Sequence, residues 1–182
     1  MRNRKGRGVT LVELLVALGL VALVLASVVS IYAFSLRTFQ VVRAESVATD
    51  EAHFAAMYLR RRLINALEIT TAESQRLAFV VPVKDPDTGL FVTPLTAGDE
   101  YTVYLSDETG SLAASGPVLW MAVNGIPYRR LAQGVQSLTF AYSPSPENPL
   151  TIRLSLTVQG TEGPRSQTRS VWVSVRPPNL NR

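Results

Sequence analysis

The sequence predicts an α+β protein, with one very long N-terminal helix followed by an antiparallel β-sheet domain. Three observations carry this reading. From Thr10 to Glu68 there is no proline and a single glycine, Gly19. Beyond Thr70 the chain changes to short runs rich in Val, Leu and Phe, separated by clusters of Gly, Pro, Asp and Asn, the composition of strands and turns. Two of the last runs alternate with a period of two, which predicts strands with one buried and one wet face.

The elements follow in order. Residues 1–8 form a short leader whose charged residues, Arg2, Arg4, Lys5 and Arg7, are all basic. Residues 9–36 are almost wholly apolar. The uncharged stretch Leu14–Leu36 spans about 35 Å as a helix, enough to cross the hydrocarbon core of a bilayer. A secretory signal peptide has a shorter apolar region and a small-residue cleavage site beyond it, which Ala26-Ser27-Val28 matches poorly. Residues 37–69 continue as an amphipathic helix. Here Ala48, Ala52, Ala55, Ala56, Leu59, Leu63, Ala66 and Leu67 recur at offsets of 3, 4 and 7, a helical stripe.

Residues 70–182 form the β domain. Strands are expected at Arg76–Val83, Tyr101–Leu105, Pro117–Val123, Ile126–Leu131, Ser137–Tyr142, Thr151–Val158 and Ser170–Val175. Asn124-Gly125, between the third and fourth, is a strong hairpin signal, because a type I′ turn needs two positive φ angles. Ile152, Leu154, Leu156 and Val158 are expected to point inward, as are Val171, Val173 and Val175. Pro144–Pro149 and Thr161–Pro164 read as loops.

The segment Gly8 to Leu18, G-V-T-L-V-E-L-L-V-A-L, carries the most functional information. A basic leader ends at Gly8, and a long apolar run follows that contains one carboxylate, Glu13. A charge inside a spanning segment costs on the order of 2.5 kcal/mol or more at the bilayer centre, which marks Glu13 as a functional residue. The four leader charges fit a signal that keeps the N-terminus in the cytoplasm.

This combination resembles the processing site of type IV prepilins and type II secretion pseudopilins. The resemblance implies a pilin-like fold and a prepilin peptidase that cuts between Gly8 and Val9 and methylates the Val9 amine. It also implies that Glu13 takes part in setting the register between subunits of a filament. Val9 stands where the family usually has Phe. Within the family, F-A-A-M-Y-L-R-R-R-L-I-N-A and G-V-Q-S-L-T-F-A-Y look like minor pilins of the W type or pseudopilins of the J type. The expected protein is a minor pilin or pseudopilin stored in the inner membrane, with a single pass, a cytoplasmic N-terminus and an extracytoplasmic domain. Its expected partners are the prepilin peptidase and other major and minor pilins or pseudopilins, in a type IV pilus (adhesion, motility or DNA uptake). A type II secretion pseudopilus is the alternative. A rival from another class is an uncleaved, signal-anchored binding module that never polymerises.

Composition narrows the classes. The net charge of +4 and the basic balance of 18 against 14 suggest an acidic partner. Loss of residues 1–8 removes four basic residues and no acidic one, so the remaining chain is balanced and direct nucleic-acid binding is not expected. There are no cysteines, so the domain relies on its core and lacks the C-terminal disulfide loop of many major pilins. No nucleophile–base pair, phosphate loop or paired metal motif occurs. No enzymatic activity, cofactor, metal or small-molecule substrate is expected.

Several residues have plain structural readings. Arg60-Arg61-Arg62 fan around a helix and read as a solvated end pairing with neighbours such as Glu68. His53, the only histidine, reads as a helix-surface residue. Asp85, Asp87 and Gly89 resemble a calcium loop, but a turn accounts for them. Trp120 and Trp172 are expected to be packing residues in strands. Gly19 is open between a close helix approach and a tolerated packing residue.

Overall fold

The computed structural model describes residues 10–147 and 149–180. One helix, α1, runs from Leu11 to Leu63. Eight strands follow: β1 Glu68–Ala72, β2 Leu77–Pro82, β3 Ala97–Ser106, β4 Val118–Val123, β5 Ile126–Ala132, β6 Val135–Pro144, β7 Pro149–Glu162 and β8 Arg165–Val175. They make two antiparallel sheets, β1-β2-β3-β4-β5 and β6-β7-β8. The α+β class expected from the sequence is the one observed. Of the described residues, those up to Gln40 form one unit and those from Val41 a second.

In the first unit, every residue from Thr10 to Phe39 is exposed. A helix apolar on all sides needs an apolar surround. Among the described residues, α1 is the one helix long and apolar enough to cross a membrane. A Cβ on Gly19 meets nothing within 4 Å, so within one chain this glycine serves no close approach.

In the second unit, α1 buries Ala44, Ala48, Ala52, Ala55, Ala56, Leu59 and Leu63. This is the stripe read from the sequence, extended by Ala44 towards the N-terminus. From Ala52 onward the stripe shares one apolar cluster with Leu77, Phe79, Val103, Leu119 and Met121 of the first sheet and Leu138, Phe140, Ile152, Leu154 and Leu156 of the second. The alternation in β7 holds: Ile152, Leu154, Leu156 and Val158 are buried, and Arg153 and Ser155 are exposed. At the β4–β5 turn, Asn124 and Gly125 have φ of 51° and 79°, as the hairpin signal requires.

The structure corrects the sequence reading in four places. The helix stops at Leu63, short of residue 69. Its last turn tightens as Asn65 N–H and Ala66 N–H bond to the carbonyls of Arg62 and Leu63 at 3.1 and 3.0 Å, and the Asn65 side chain caps Arg61 O at 3.2 Å. Ala66 stays buried, which is why the stripe seemed to continue, but Leu67 N–H already bonds across to Val80 O at 2.9 Å. Glu68–Ala72 is then strand β1, which the sequence reading did not separate from the helix end. Thr161–Pro164 is no open loop: β7 and β8 stay in register to Glu162↔Arg165 around a tight turn. Finally, Trp172 is 73% exposed. Val171 and Val173 take the inner face of β8, so the residue between them must point outward.

Helix α1 and strand β7 approach closely at Gly160. A Cβ placed on Gly160 would lie 2.1 Å from Ala44 O and 2.7 Å from Ala48 N. Both are backbone atoms, which no rotamer change moves. Gly160→Ala is therefore expected to destabilise the domain by about 3 kcal/mol. Thermal unfolding should register this as a Tm lower by roughly 10 °C. An unchanged Tm would show that helix and strand separate at little cost.

Candidate functional site

Of the sequence-predicted site residues, Glu13 is described by the structure. Gly8, Val9, Arg2, Arg4, Lys5 and Arg7 lie outside the described residues. Glu13 sits in the first turn of α1, three residues after Thr10. The Thr10 N–H and hydroxyl donate to Glu13 Oε2 at 2.9 and 3.1 Å. The Glu13 N–H donates in return to Thr10 Oγ1 at 3.2 Å, and Leu14 N–H closes the first helical turn on Thr10 O at 3.1 Å.

These bonds form a capping box. The threonine side chain caps the N3 amide, and the N3 carboxylate reaches back to the threonine amide. Two of the amides that a helix start leaves without intrahelical partners are thereby satisfied. The carboxylate also lies at the positive end of the helix dipole. Glu13 thus has a role within its own helix, and Thr10 is a functional partner that the sequence reading passed over. The signal was present as Thr10-x-x-Glu13 ahead of an apolar run.

The other candidates take structural roles. Asp85 Oδ1 accepts the N–H groups of Asp87 and Thr88 at 2.8 and 3.1 Å, and Gly89 follows with φ 68°. The backbone amides of Thr88 and Asp87 hold the Asp85 carboxyl below the usual carboxylate range. This is a side-chain-closed turn. Among the described residues, no three His, Cys, Asp or Glu side chains gather as a metal site. His53 is exposed on the helix.

The three arginines at the helix end separate. Arg60 and Arg61 are exposed. Arg62 stacks on Tyr58 and Tyr101, 5.7 and 5.1 Å from the ring centroids, and donates to Tyr101 Oη at 3.2 Å. Burial pushes the Tyr101 phenol above its usual range, so it remains a neutral acceptor. Arg62 is held by aromatic rings. Among the described residues, no ion pair joins Glu68 to these arginines. Trp120 packs as expected, with Nε1–H bonded to Asp107 O at 2.9 Å.

Residues 3–29 match the prokaryotic N-terminal methylation motif. The chain carries the motif of type IV pilin-like proteins. No curated protein and no solved structure matches the chain. The matched residues include Gly8, Val9, Thr10 and Glu13, and they end inside the apolar half of α1. The motif implies processing by a prepilin peptidase and assembly with other pilins. Together with the apolar helix it supports anchoring in a membrane.

The capping box has a direct test. In the detergent-solubilised chain, Thr10→Ala should cost about 1 kcal/mol at the helix start and speed amide exchange at Leu11–Leu14 about fivefold. Glu13→Gln should change exchange much less, because glutamine serves in the same box. Equal exchange in wild type and Thr10→Ala would remove the cap from the account.

Proposed function

We propose that the chain is a minor pilin: a subunit stored in the inner membrane, cut after Gly8, methylated at Val9 and assembled into a type IV pilus near its tip or at initiation. Its role is structural, with no catalytic step. The observation that carries the reading is the match over residues 3–29, set on a helix whose first turn holds Glu13. Three features favour a minor subunit over the principal one. No proline interrupts α1, no cysteine closes a C-terminal loop, and the resemblance to W-type and J-type subunits runs through α1 and β6.

Cleavage changes the electrostatics of the helix start. It creates an amine at Val9, protonated near neutral pH, beside the positive end of the helix dipole. That position is unfavourable for a cation. Methylation of an amine leaves its charge in place. In an apolar surround, an unpaired charge is costly, and a carboxylate is the natural partner. Glu13 of a neighbouring subunit supplies it, and one such pair per step fixes the axial register of the helices. Before cleavage, the same carboxylate is held by Thr10. The cap keeps Glu13 satisfied while the subunit waits in the membrane.

Two measurements test this reading. Co-expressed with a prepilin peptidase, the protein should begin at a methylated Val9 by N-terminal mass spectrometry. An intact leader, or a cut near Ser27, sinks the reading and favours an anchored or secreted binding module. Glu13→Gln should be inserted and cut as wild type yet fail to co-purify with partner pilins. Because this substitution keeps the cap, its loss of assembly would report the charge. Thr10→Ala should be cut and should still assemble. Equal partner recovery from wild type and Glu13→Gln would reject the pairing.

A further inference from the structure

Four strands lie at sheet edges: β1 and β5 in one sheet, β6 and β8 in the other. An edge presents unpaired N–H and C=O groups, and proteins guard it by short length, bulges, proline, charge or a covering segment. Three of the four edges here are guarded. Strand β1 has five residues and a register shift between Ile69 and Thr71. Strand β5 carries Pro127, Arg129 and Arg130 and two register shifts against β4. Strand β6 is covered by the β1–β2 turn, with Phe140 N–H on Ser74 O and Tyr142 Oη–H on Glu73 O, both at 2.8 Å.

Strand β8 has no bulge, proline or covering segment among the described residues, and its two charges, Arg165 and Arg169, lie in its first half. Its 11 residues run in unbroken register with β7, from Glu162↔Arg165 to Ile152↔Val175. It contains no proline, and from Ser170 to Val175 it contains no charge. Among the described residues, β8 pairs with β7 alone. At its centre Trp172 points outward, opposite Ser155 of β7, and is 73% exposed.

The residues around Trp172 read Ser170-Val171-Trp172-Val173-Ser174, the same in both directions. A two-fold contact needs a surface complementary to itself, and an antiparallel strand pair centred on such a sequence meets that need. Trp172 would lie opposite Trp172, Val171 opposite Val173 and Ser170 opposite Ser174. Arg169 would face Val175, and its guanidinium keeps its ion pair with Glu45 of its own chain. No two like charges face each other along the paired stretch. The two indoles would stand side by side on the outer face, a cross-strand aromatic pair, and the valines would continue the inner face.

We propose that β8 is a self-docking edge, at which a second copy of the chain adds its own β8 antiparallel about Trp172 to make one six-stranded sheet. The pairing joins backbone groups that β7 leaves free on both strands and covers Trp172, the most exposed aromatic side chain among the described strands. It needs neither leader cleavage nor filament assembly.

The test uses the full chain in detergent, where the absence of cysteine makes single-cysteine variants clean. The proposed register places residues 170 and 174 of the two copies opposite one another. On oxidation, a mixture of Ser170→Cys and Ser174→Cys chains should cross-link about tenfold faster than either variant alone. Like-with-like pairs would be offset by four residues, roughly 13 Å, too far for a disulfide. Trp172→Lys, at an exposed position, should leave the circular-dichroism spectrum of the folded chain unchanged and abolish the dimer seen by light scattering, lowering Tm only by the concentration-dependent share that dimerisation adds. A mixture that cross-links no faster than its components, or a dimer that survives Trp172→Lys, overturns the proposal.

Discussion

The domain is organised around the contact of helix backbone with strand backbone at Gly160. A Cβ there would lie 2.1 Å from Ala44 O, far inside van der Waals contact, so only glycine lets β7 reach the helix. The helix answers with alanines at 44, 48, 52, 55 and 56, all buried, and gives leucine only at 59 and 63. Side-chain size along the stripe is therefore a measure of spacing. Where the residues are small, helix and sheet touch nearly backbone to backbone. Further along, Leu59 and Leu63 share one apolar cluster with Phe79 and Met121 of the first sheet and Phe140 and Leu154 of the second. A dense interior tolerates neither voids nor overlap, so the sequence of small then large residues settles how the helix lies on the sheets.

A second device fixes the outer side of the helix to the first sheet. Arg129 of β5 lies over Phe54 and Tyr58, at 5.2 and 5.0 Å from their centroids. Arg62 lies between Tyr58 and Tyr101, and Tyr101 stacks on Phe79 at 5.7 Å with a 19° interplanar angle. Guanidinium and aromatic planes thus alternate from the helix surface into the core. Arginine suits this place because its flat, weakly hydrated cation stacks where an ammonium would demand water. The arrangement also explains why three consecutive arginines have different fates. One turn of helix carries each in a different direction, and only Arg62 meets tyrosines on two sides.

The helix, its apolar stripe, the alternation in β7 and the Asn124-Gly125 turn were legible in the sequence because each follows from a period or a dihedral requirement carried by a few neighbouring residues. What was not legible depends on distant partners. Ala66 extends the helical stripe, yet Leu67 leaves the helix because Val80 offers its carbonyl. Gly160 looks like any strand glycine until Ala44 is placed opposite it. Trp172 has the composition of a packing residue and is exposed because Val171 and Val173 fix which face of β8 turns inward. Gly8, Val9 and Glu13 stand out through resemblance, and the motif match spans their positions. Thr10 follows from the Thr-x-x-Glu spacing rule, and its donors hold the acid.

The Thr10 cap decides how an acid is tolerated at the edge of an apolar helix. A bare carboxylate in such a place must find water, a proton or a partner. Thr10 gives Glu13 two donors, and the helix start adds the field of its unpaired amides. The cost of the charge falls without a second chain. A partner cation must then compete with an existing set of bonds, so pairing favours a cation that gains as much as the acid does. On the proposed reading, an amine at Val9 would meet that condition, because it would immediately precede Thr10 and so feel the same helix-start field that stabilises the carboxylate. The one field that holds the acid in place makes the amine seek an acid elsewhere. A helix start of this kind is stable alone before cleavage and, on the proposed reading, becomes one half of an intermolecular pair after it.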